Sequence, residues 1–459
     1  MIASSKAALV SRVVPVMTVF KTTDWPSDLA GSGWYETLPP PPRYPRLEAD
    51  INADWLIVGA GFAGLSAALR IARNVPGDRV VVIDAQRVAW GAAGRNSGFM
   101  IDLPHELNSA NYAGAQDRDL EQITQNRAAI DFARSAAQEF DLEACLSPIG
   151  KLHGAADTNG EQSLNDFSQH LDALGESHTA LDGADMQRIT GSEYYRAGIH
   201  TPGALLIQPA AYIVGLARGL ARQHGVAIYE DSPLLDLNTA PRPLASTAKG
   251  SISAARVILA VNGHIESLGL FKRRLMHVFT FASMTRTLSG DEQRWLGGEA
   301  EWGLIPAHPM GSTVRRFKND RIVVRNVFSW NPDLRTSEKQ VRHIGHIHDR
   351  SFEARFPRLR DVTMEYRWGG HLCLSRNSVP AFGEIERGVF AAACQNGLGT
   401  TKGTLSGMLA ADLACGSNSD VLHSWLTQEM PKKLFPEPFM SIGARTYLSW
   451  SQFRAGRDL

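Results

Sequence analysis

Cysteine is scarce in this chain. Its 459 residues include four, Cys145, Cys373, Cys394 and Cys415, far apart and with no C-x-x-C pair. Such spacing argues against a disulfide framework and a zinc site, and it fits a reducing cytoplasm. Net charge is missing as well. Lys+Arg and Asp+Glu are equal at 47 each, so no overall field draws the chain to nucleic acid or an anionic membrane. No window reaches the roughly 18 uninterrupted apolar residues of a membrane-integral helix. There is no internal repeat, and the only biased tract is a proline-rich arm from Leu38 to Arg46. The remaining composition, 44% hydrophobic and 20% charged, is that of a globular protein with two or three domains.

The first twenty residues, MIASSKAALVSRVVPVMTVF, are basic, contain serine and lack acids, as targeting segments do. Pro15 breaks their apolar run, and no small-residue cleavage site follows. A disordered extension, or translation from Met17, is the expectation.

The most informative segment is Ile57 to Gly64, I-V-G-A-G-F-A-G. Apolar Trp55 to Val58 predict a buried parallel strand running straight into the glycines. Gly59 suits the tight turn, Gly61 admits a pyrophosphate to the backbone, and Gly64 lets the following helix pack closely on the strand. Phosphates then face a helix N-terminus, where free N–H groups and the helix dipole favour negative charge. A second apolar run, Val80 to Ile83, ends in Asp84, twenty residues after Gly64. There a carboxylate accepts hydrogen bonds from an adenosine ribose. A lone G-x-G-x-x-G is weak evidence, whereas strand, helix, second strand and acid in order predict a bound dinucleotide.

Further stretches belong to the same layer. Gly91 to Gly98, G-A-A-G-R-N-S-G, is a second small-residue loop. A helix is predicted between Leu107 and Phe140 and another from Pro209 to Gly225, with strands at Val226 to Tyr229 and Arg256 to Val261. From Leu275 to Val327 the pattern alternates, as in an antiparallel sheet. His343 to Phe356 returns to helix; Val389 to Ala393 reads as a strand, followed by Gly397-Leu398-Gly399 and a helix from about Gly403 to Leu413. The fold class is therefore α/β (α+β), a discontinuous Rossmann-like domain with an inserted antiparallel-sheet domain. The expected division is an N-terminal extension and arm at 1–52, cofactor-binding stretches at 53–105, 205–265 and 362–415, substrate-domain stretches at 106–204 and 266–361, and a C-terminal tail at 416–459. Nicotinamide dehydrogenases seldom scatter a nucleotide site in this way, whereas an extended FAD needs scattered contacts.

These motifs, with W-G-G at 368–370 leading to P-A-F-G at 380–383 and N-G-L-G at 396–399, resemble the D-amino-acid-oxidase-like superfamily of FAD-dependent amine and amino-acid oxidoreductases. The similarity covers about Ala53 to Ala414 and is greatest to the γ-glutamylputrescine oxidase branch. It implies that Gly59, Gly61, Phe62, Ala63 and Gly64 meet the FAD pyrophosphate and that Asp84 and Ala85 meet the ribose. Gly94, Arg95, Asn96, Ser97 and Gly98 would run beside pyrophosphate and isoalloxazine, with the Arg95 guanidinium near the phosphates. Leu234 would hold adenine through its backbone, Asn262 would lie at the cofactor, and Gly397, Leu398, Gly399, Thr400 and Thr401 would face the pyrimidine side of the flavin.

The resemblance also carries two departures. Amino-acid-oxidising members place a carboxylate-binding arginine four residues after the tryptophan of this W-x-G motif, and here that position is Leu372. Substrate choice must then rest on other contacts, with Arg274, Arg315, Arg316, Arg367 and Arg376 as alternative clamps. The 91–98 loop lacks the histidine used for covalent flavin attachment, and Cys373 and Cys394 match no attachment spacing, so non-covalent FAD is expected.

Trp368, His371 and Leu372 are the expected substrate-lining residues. His105, His277 and Tyr366 are further candidates near the flavin, and Phe279 and Phe281 are aromatic wall candidates; each histidine and each aromatic also reads as ordinary core. The expected reaction oxidises the C–N bond of an amine or N-substituted amino compound to an imine, by hydride transfer to flavin N5, and water then hydrolyses the imine. Oxygen or an electron carrier takes the electrons. Alternatives are an amino-acid oxidoreductase acting on D-amino, N-alkyl or iminodicarboxylic acids, a nicotinamide-dependent dehydrogenase, and a catalytically silent flavoprotein. The oligomeric state is left open.

Overall fold

Four buried residues, Val80–Ile83, form a strand whose branched side chains fill both faces of a parallel sheet. In this computed structural model Val80–Ile83 lies beside Ile51–Val58, with Trp55 opposite Val80 and Val58 opposite Ile83. Ala227–Tyr229 extends the sheet on one side, and Ser251–Leu259 followed by Val389–Ala393 extends it on the other, all in parallel. The layer is thus assembled from separated stretches of chain. Antiparallel strands complete a nine-stranded sheet. The structure describes residues 18–459 apart from 29, 106–108, 110, 111, 113 and 319, so the segment before residue 18 and the start of the expected Leu107 helix lie outside the described residues. That helix is described as Gln116–Glu139.

Helix Phe62–Asn74 follows the glycine loop and packs on helix Thr401–Cys415. Small residues set their separation: a Cβ on Gly407 would stand 1.9 Å from the Ala63 carbonyl oxygen. Any side chain there would drive the helices apart. Helix Pro209–Gln223 closes the same side, with Pro209 in its first turn, where a missing N–H costs nothing.

The second layer is an eight-stranded sheet. Its strands are antiparallel except where Trp302–Pro306 runs parallel to Lys151–Ala155. Leu275–Thr285 sits between Arg321–Trp330 and the long edge strand Met364–Ser375. This places 364–375 in the second sheet, although the sequence reading assigned all of 362–415 to the cofactor-binding stretches. Alternating side chains in W-G-G-H-L-C-L gave no signal of which sheet the strand would join.

The end of the chain is also no loose tail. Asp458 is buried, and its carboxylate accepts from the backbone N–H of Ala156 at 2.9 Å and of His308 at 3.0 Å. Ser312 Oγ donates to the Leu459 carbonyl at 2.6 Å. Among the described residues, no helix is long and apolar enough to cross a membrane, and no cluster of His, Cys, Asp and Glu is arranged to hold a metal ion.

Candidate active site

The register that sets Val58 opposite Ile83 brings Gly59 and Asp84 out side by side at the carboxyl ends of their strands. Ligands of open α/β sheets bind at that edge. Gly59 turns at φ 105°, and a Cβ there would meet the Ala260 carbonyl oxygen at 2.6 Å. Asp84 Oδ2 accepts from Ala60 N–H at 2.7 Å, and Oδ1 accepts from Gln86 N–H at 2.8 Å. Burial pushes its carboxyl up to about 6. Asp84 therefore braces the glycine turn before any ribose is considered.

A single cavity of about 1,800 Å3, its open mouth included, starts at this turn and reaches the second sheet. Its wall fits an extended dinucleotide on three observations. Helix Phe62–Asn74 begins at Gly61 without a side-chain cap, leaving first-turn N–H groups for an anion. A Cβ on Gly61 would meet only Ala93, at 3.5 Å, so the backbone is approachable. Farther along, the buried Gln395 side-chain oxygen has no hydrogen-bond partner and belongs to a residue of the cavity wall.

The 91–98 loop is held from behind. Ser32 Oγ donates to the Gly94 carbonyl at 2.6 Å, Trp368 Nε1 to Arg95 at 2.9 Å, and Trp34 Nε1 to Asn96 at 2.8 Å. Arg95 lines the cavity, but its guanidinium is already engaged. It donates to the carbonyls of Trp90 at 2.8 Å, Gly369 at 3.1 Å and Ala30, and pairs with Asp28 at 3.3 Å. Arg95 thereby ties the N-terminal arm and the second sheet to the loop.

Where the cavity meets the eight-stranded sheet it is walled by Thr280, Phe281, Ala282, Arg325, Gly370, His371 and Leu372. His371 Nε2 lies 3.2 Å from His277 Nδ1, and His277 Nε2 lies 2.9 Å from Glu266 Oε2. Gly263 backs the pair, since a Cβ there would meet His371 at 2.4 Å. Burial, with His277 and His264 nearby, holds the His371 imidazole well below its ordinary value; burial likewise lowers His264 to about 4. Both remain neutral at physiological pH.

Of the expected cofactor residues, Gly59, Gly61, Phe62, Ala63, Asp84, Ala85, Arg95, Asn96, Ser97, Leu234, Asn262, Gly397 and Gly399 line this cavity. Leu398 and Thr400 line a smaller adjoining one with His105, Tyr112 and Arg325. Gly64 and Gly94 serve packing, where a Cβ would lie 1.7 Å from the Gly59 oxygen and 2.0 Å from the Ala89 oxygen. Gly98 abuts Arg315, and Thr401 Oγ1 accepts from Ile101 N–H at 3.0 Å. Trp368 is not substrate-lining. It is 2% exposed beneath the loop, about 13 Å along its strand from Leu372 at ~3.3 Å per residue. Phe279 is core, and Tyr366 stacks with Arg321 instead of entering the site.

Arg325 was missed in the sequence, as were Asp24, Trp25 and Asp28 of the arm, all of which line the cavity. Trp25 Nε1 donates to the Leu234 carbonyl at 3.1 Å, which accounts for an aromatic in an otherwise polar arm. Arg325 faces both cavities and stacks 4.7 Å over the Phe328 ring, and no carboxylate pairs with it among the described residues. Burial pulls its guanidinium down to about 10. None of the five arginines proposed from sequence lines either cavity. Arg315 is spent on the carbonyls of Gly98 at 2.8 Å and Ile207, and Arg367 on Gly345 at 2.7 Å and Asp349 at 2.6 Å.

Residues 54–413 match the family described as FAD dependent oxidoreductase. The chain belongs to that family. FAD is its cofactor, and the chain is an oxidoreductase. The chain is 28% identical over 416 residues to a probable oxidoreductase, OrdL, of Rhizobium meliloti (strain 1021), covering 86% of this chain and 91% of that one. It is 24% identical to a gamma-glutamylputrescine oxidoreductase of Escherichia coli (strain K12), covering 88% and 94%. Among solved structures it is similar to glycine oxidase from Geobacillus kaustophilus, with a TM-score of 0.69, 18% identity, and coverage of 84% and 100%. At that identity the likeness speaks for the fold.

Proposed function

We propose that this flavoprotein oxidises the C–N bond of an amine or N-substituted amino compound to an imine that water then hydrolyses. The observation that carries the reading is the continuity of one cavity from the Gly59–Gly64 cradle to the chamber walled by Phe281, His371 and Leu372. FAD supplies the hydride acceptor when bound, held non-covalently by Gly61, Asp84, Asn96, Ser97, Leu234, Gly397 and Gly399. The thiol of Cys373 is pushed well above its ordinary value by burial and by Cys394, which leaves it poorly suited to covalent attachment.

The chain's own residues do the rest. Phe281 and Leu372 exclude water and orient the α C–H by shape. Leu372 cannot clamp a carboxylate, so selection falls to the apolar wall and to polar contacts elsewhere. A neutral His371 accepts or donates one hydrogen bond at the substrate nitrogen without charging, while Glu266 orients His277 behind it. A substrate amine that binds neutral needs no stronger base. The relation to a gamma-glutamylputrescine oxidoreductase supports this amine reading.

A second reading is favoured by Arg325, a half-buried guanidinium that faces both cavities, stacks on Phe328 and has no carboxylate partner among the described residues. It suits a substrate with a carboxylate, such as an N-alkyl, D-amino or iminodicarboxylic acid. Anaerobic bleaching of the bound flavin distinguishes the two. Polyamines and γ-glutamyl amines are compared with sarcosine, iminodiacetate and D-amino acids. Fast bleaching confined to the amines supports the first reading, and bleaching confined to small acids replaces it with the second.

A further inference from the structure

Helix Phe439–Arg454 has two apolar sides. On the inner side, Met440, Ala444 and Leu448 pack against Val278, Phe328 and Trp330 of the eight-stranded sheet. On the outer side, Phe439, Ile442, Trp450 and Phe453 are 71%, 60%, 53% and 85% exposed. At 100° per residue these four fall within one narrow stripe, about 21 Å long at 1.5 Å per residue. Phe435, also exposed, extends it toward the preceding loop. Monomeric proteins seldom leave so many large apolar side chains contiguous and uncovered.

The helix cannot turn this stripe inward. Its inner side is already packed, and the residues beyond it are anchored: Ala455 is buried, and Arg355 Nη2 donates to the Asp458 carbonyl at 2.9 Å. The charges beside the stripe are predominantly positive. Arg445 lies on one flank and Arg454 on the other, Lys433 and Arg457 are exposed near its ends, and the helix holds no Asp or Glu. Two acids precede it: Glu429 pairs with Lys432 at 3.0 Å, and Glu437 accepts from Ser441 N–H at 3.2 Å, so the cations remain in excess. Arg454 stacks 5.0 Å over the Trp450 ring, so a cation sits at the apolar border. The chain as a whole is neutral, which makes this local excess the more specific.

We propose that helix Phe439–Arg454 seats the protein on an anionic bilayer surface, with Phe439, Ile442, Trp450 and Phe453 at the acyl boundary and the arginines among lipid headgroups. An apolar stripe bordered by cations and carrying Trp is the pattern of a helix lying in the membrane interface. A second copy fits less well. A two-fold contact sets the same patch against itself, and it brings together the arginines of two helices that carry no acid of their own, Glu437 lying ahead of the first turn. The inner side of the helix shares its apolar cluster with Leu372 of the cavity wall, so the bilayer would lie about one helix diameter, ~10 Å, from the site.

Flotation of the yellow holoenzyme tests this, using phosphatidylglycerol–phosphatidylcholine vesicles and phosphatidylcholine vesicles. Co-flotation with the anionic vesicles, weaker at high salt, is the expected result. Phe439→Ser with Phe453→Ser should lower the partition coefficient at least about tenfold. Arg445→Glu with Arg454→Glu should do so for anionic vesicles alone. Flavin absorbance and Tm verify that each variant is folded. Failure of the folded wild type to float, or equal flotation with both vesicles, overturns the proposal. So does a sedimentation-detected dimer that Phe453→Ser dissociates without any vesicle binding.

Discussion

His277 Nδ1 and His371 Nε2 lie 3.2 Å apart, and His371 meets the cavity while His277 is held from behind by Glu266. One proton fills the gap, so two neutral rings satisfy it and two imidazoliums would repel. His371 is held well below its ordinary value by burial and by its histidine neighbours. The rate of flavin reduction should therefore rise with pH along a single limb set by deprotonation of the substrate amine. His371→Asn should change the height of that limb and leave its shape. Stopped-flow reduction from pH 6 to 9 measures this; a second inflection near 6.5 that disappears in His371→Asn would contradict it.

Buried histidines also set the acid limit of stability. His264 falls to about 4 and His348 to about 3, from an ordinary 6.5, and His105 and His153 move the same way, all by burial. Between the folded and unfolded values the unfolded chain binds more protons, so stability falls as pH drops below about 6.5. Asp84 and Asp458, raised from 3.8 to about 6, act oppositely: their burial cost is relieved as pH falls from 6 toward 4. The histidines outnumber them. Tm of the holoenzyme should decrease from pH 7 to pH 5, and less so in His348→Gln. A flat or rising Tm across that window would show that the carboxyls dominate.

Arg95 should prove more important to folding than to flavin chemistry. Its guanidinium donates to Trp90 at 2.8 Å and Gly369 at 3.1 Å and pairs with Asp28, joining three parts of the chain. Arg95→Ala leaves Asp28 and those carbonyls without their cation, at a cost of about 3–5 kcal/mol. Arg95→Lys should recover little, because one ammonium cannot reproduce a planar fork. Urea unfolding with and without added FAD separates the roles. A variant as stable as wild type without FAD, and defective only in FAD affinity, would return Arg95 to the phosphates.

The parallel layer was legible because its rules are local. Glycines after an apolar run, and an acid after the next one, fix strand, turn, helix and strand from a few dozen residues, and Gly59 and Asp84 stand where that order requires. The second sheet was legible only as alternation. Its partners are distant in sequence, so nothing in Met364–Ser375 disclosed that the strand pairs with Leu275–Thr285. Trp368 was misplaced for a related reason: an indole reads equally as wall or wedge until its N–H finds the Arg95 carbonyl. Arg325 was missed because an arginine on a strand normally points to solvent, and the absence of a carboxylate partner among the described residues is visible only in three dimensions.

That absence yields the most discriminating variant. A desolvated guanidinium with only the Phe328 ring against it, and no carboxylate among the described residues, is unfavourable unless a ligand supplies one, and burial already pulls Arg325 down to about 10. Arg325→Met keeps the stem's bulk and removes the charge, so substrate-free protein should unfold at the same or a higher temperature than wild type. If the substrate carries a carboxylate, its affinity should fall by roughly 1.5–3 kcal/mol, about tenfold to a hundredfold. An uncharged amine should bind Arg325→Met at least as well as wild type. Equilibrium binding and Tm, measured on the same preparation, read both effects. A loss of Tm with unchanged affinity for every acid tested would make Arg325 a structural cation and leave the amine reading without a rival.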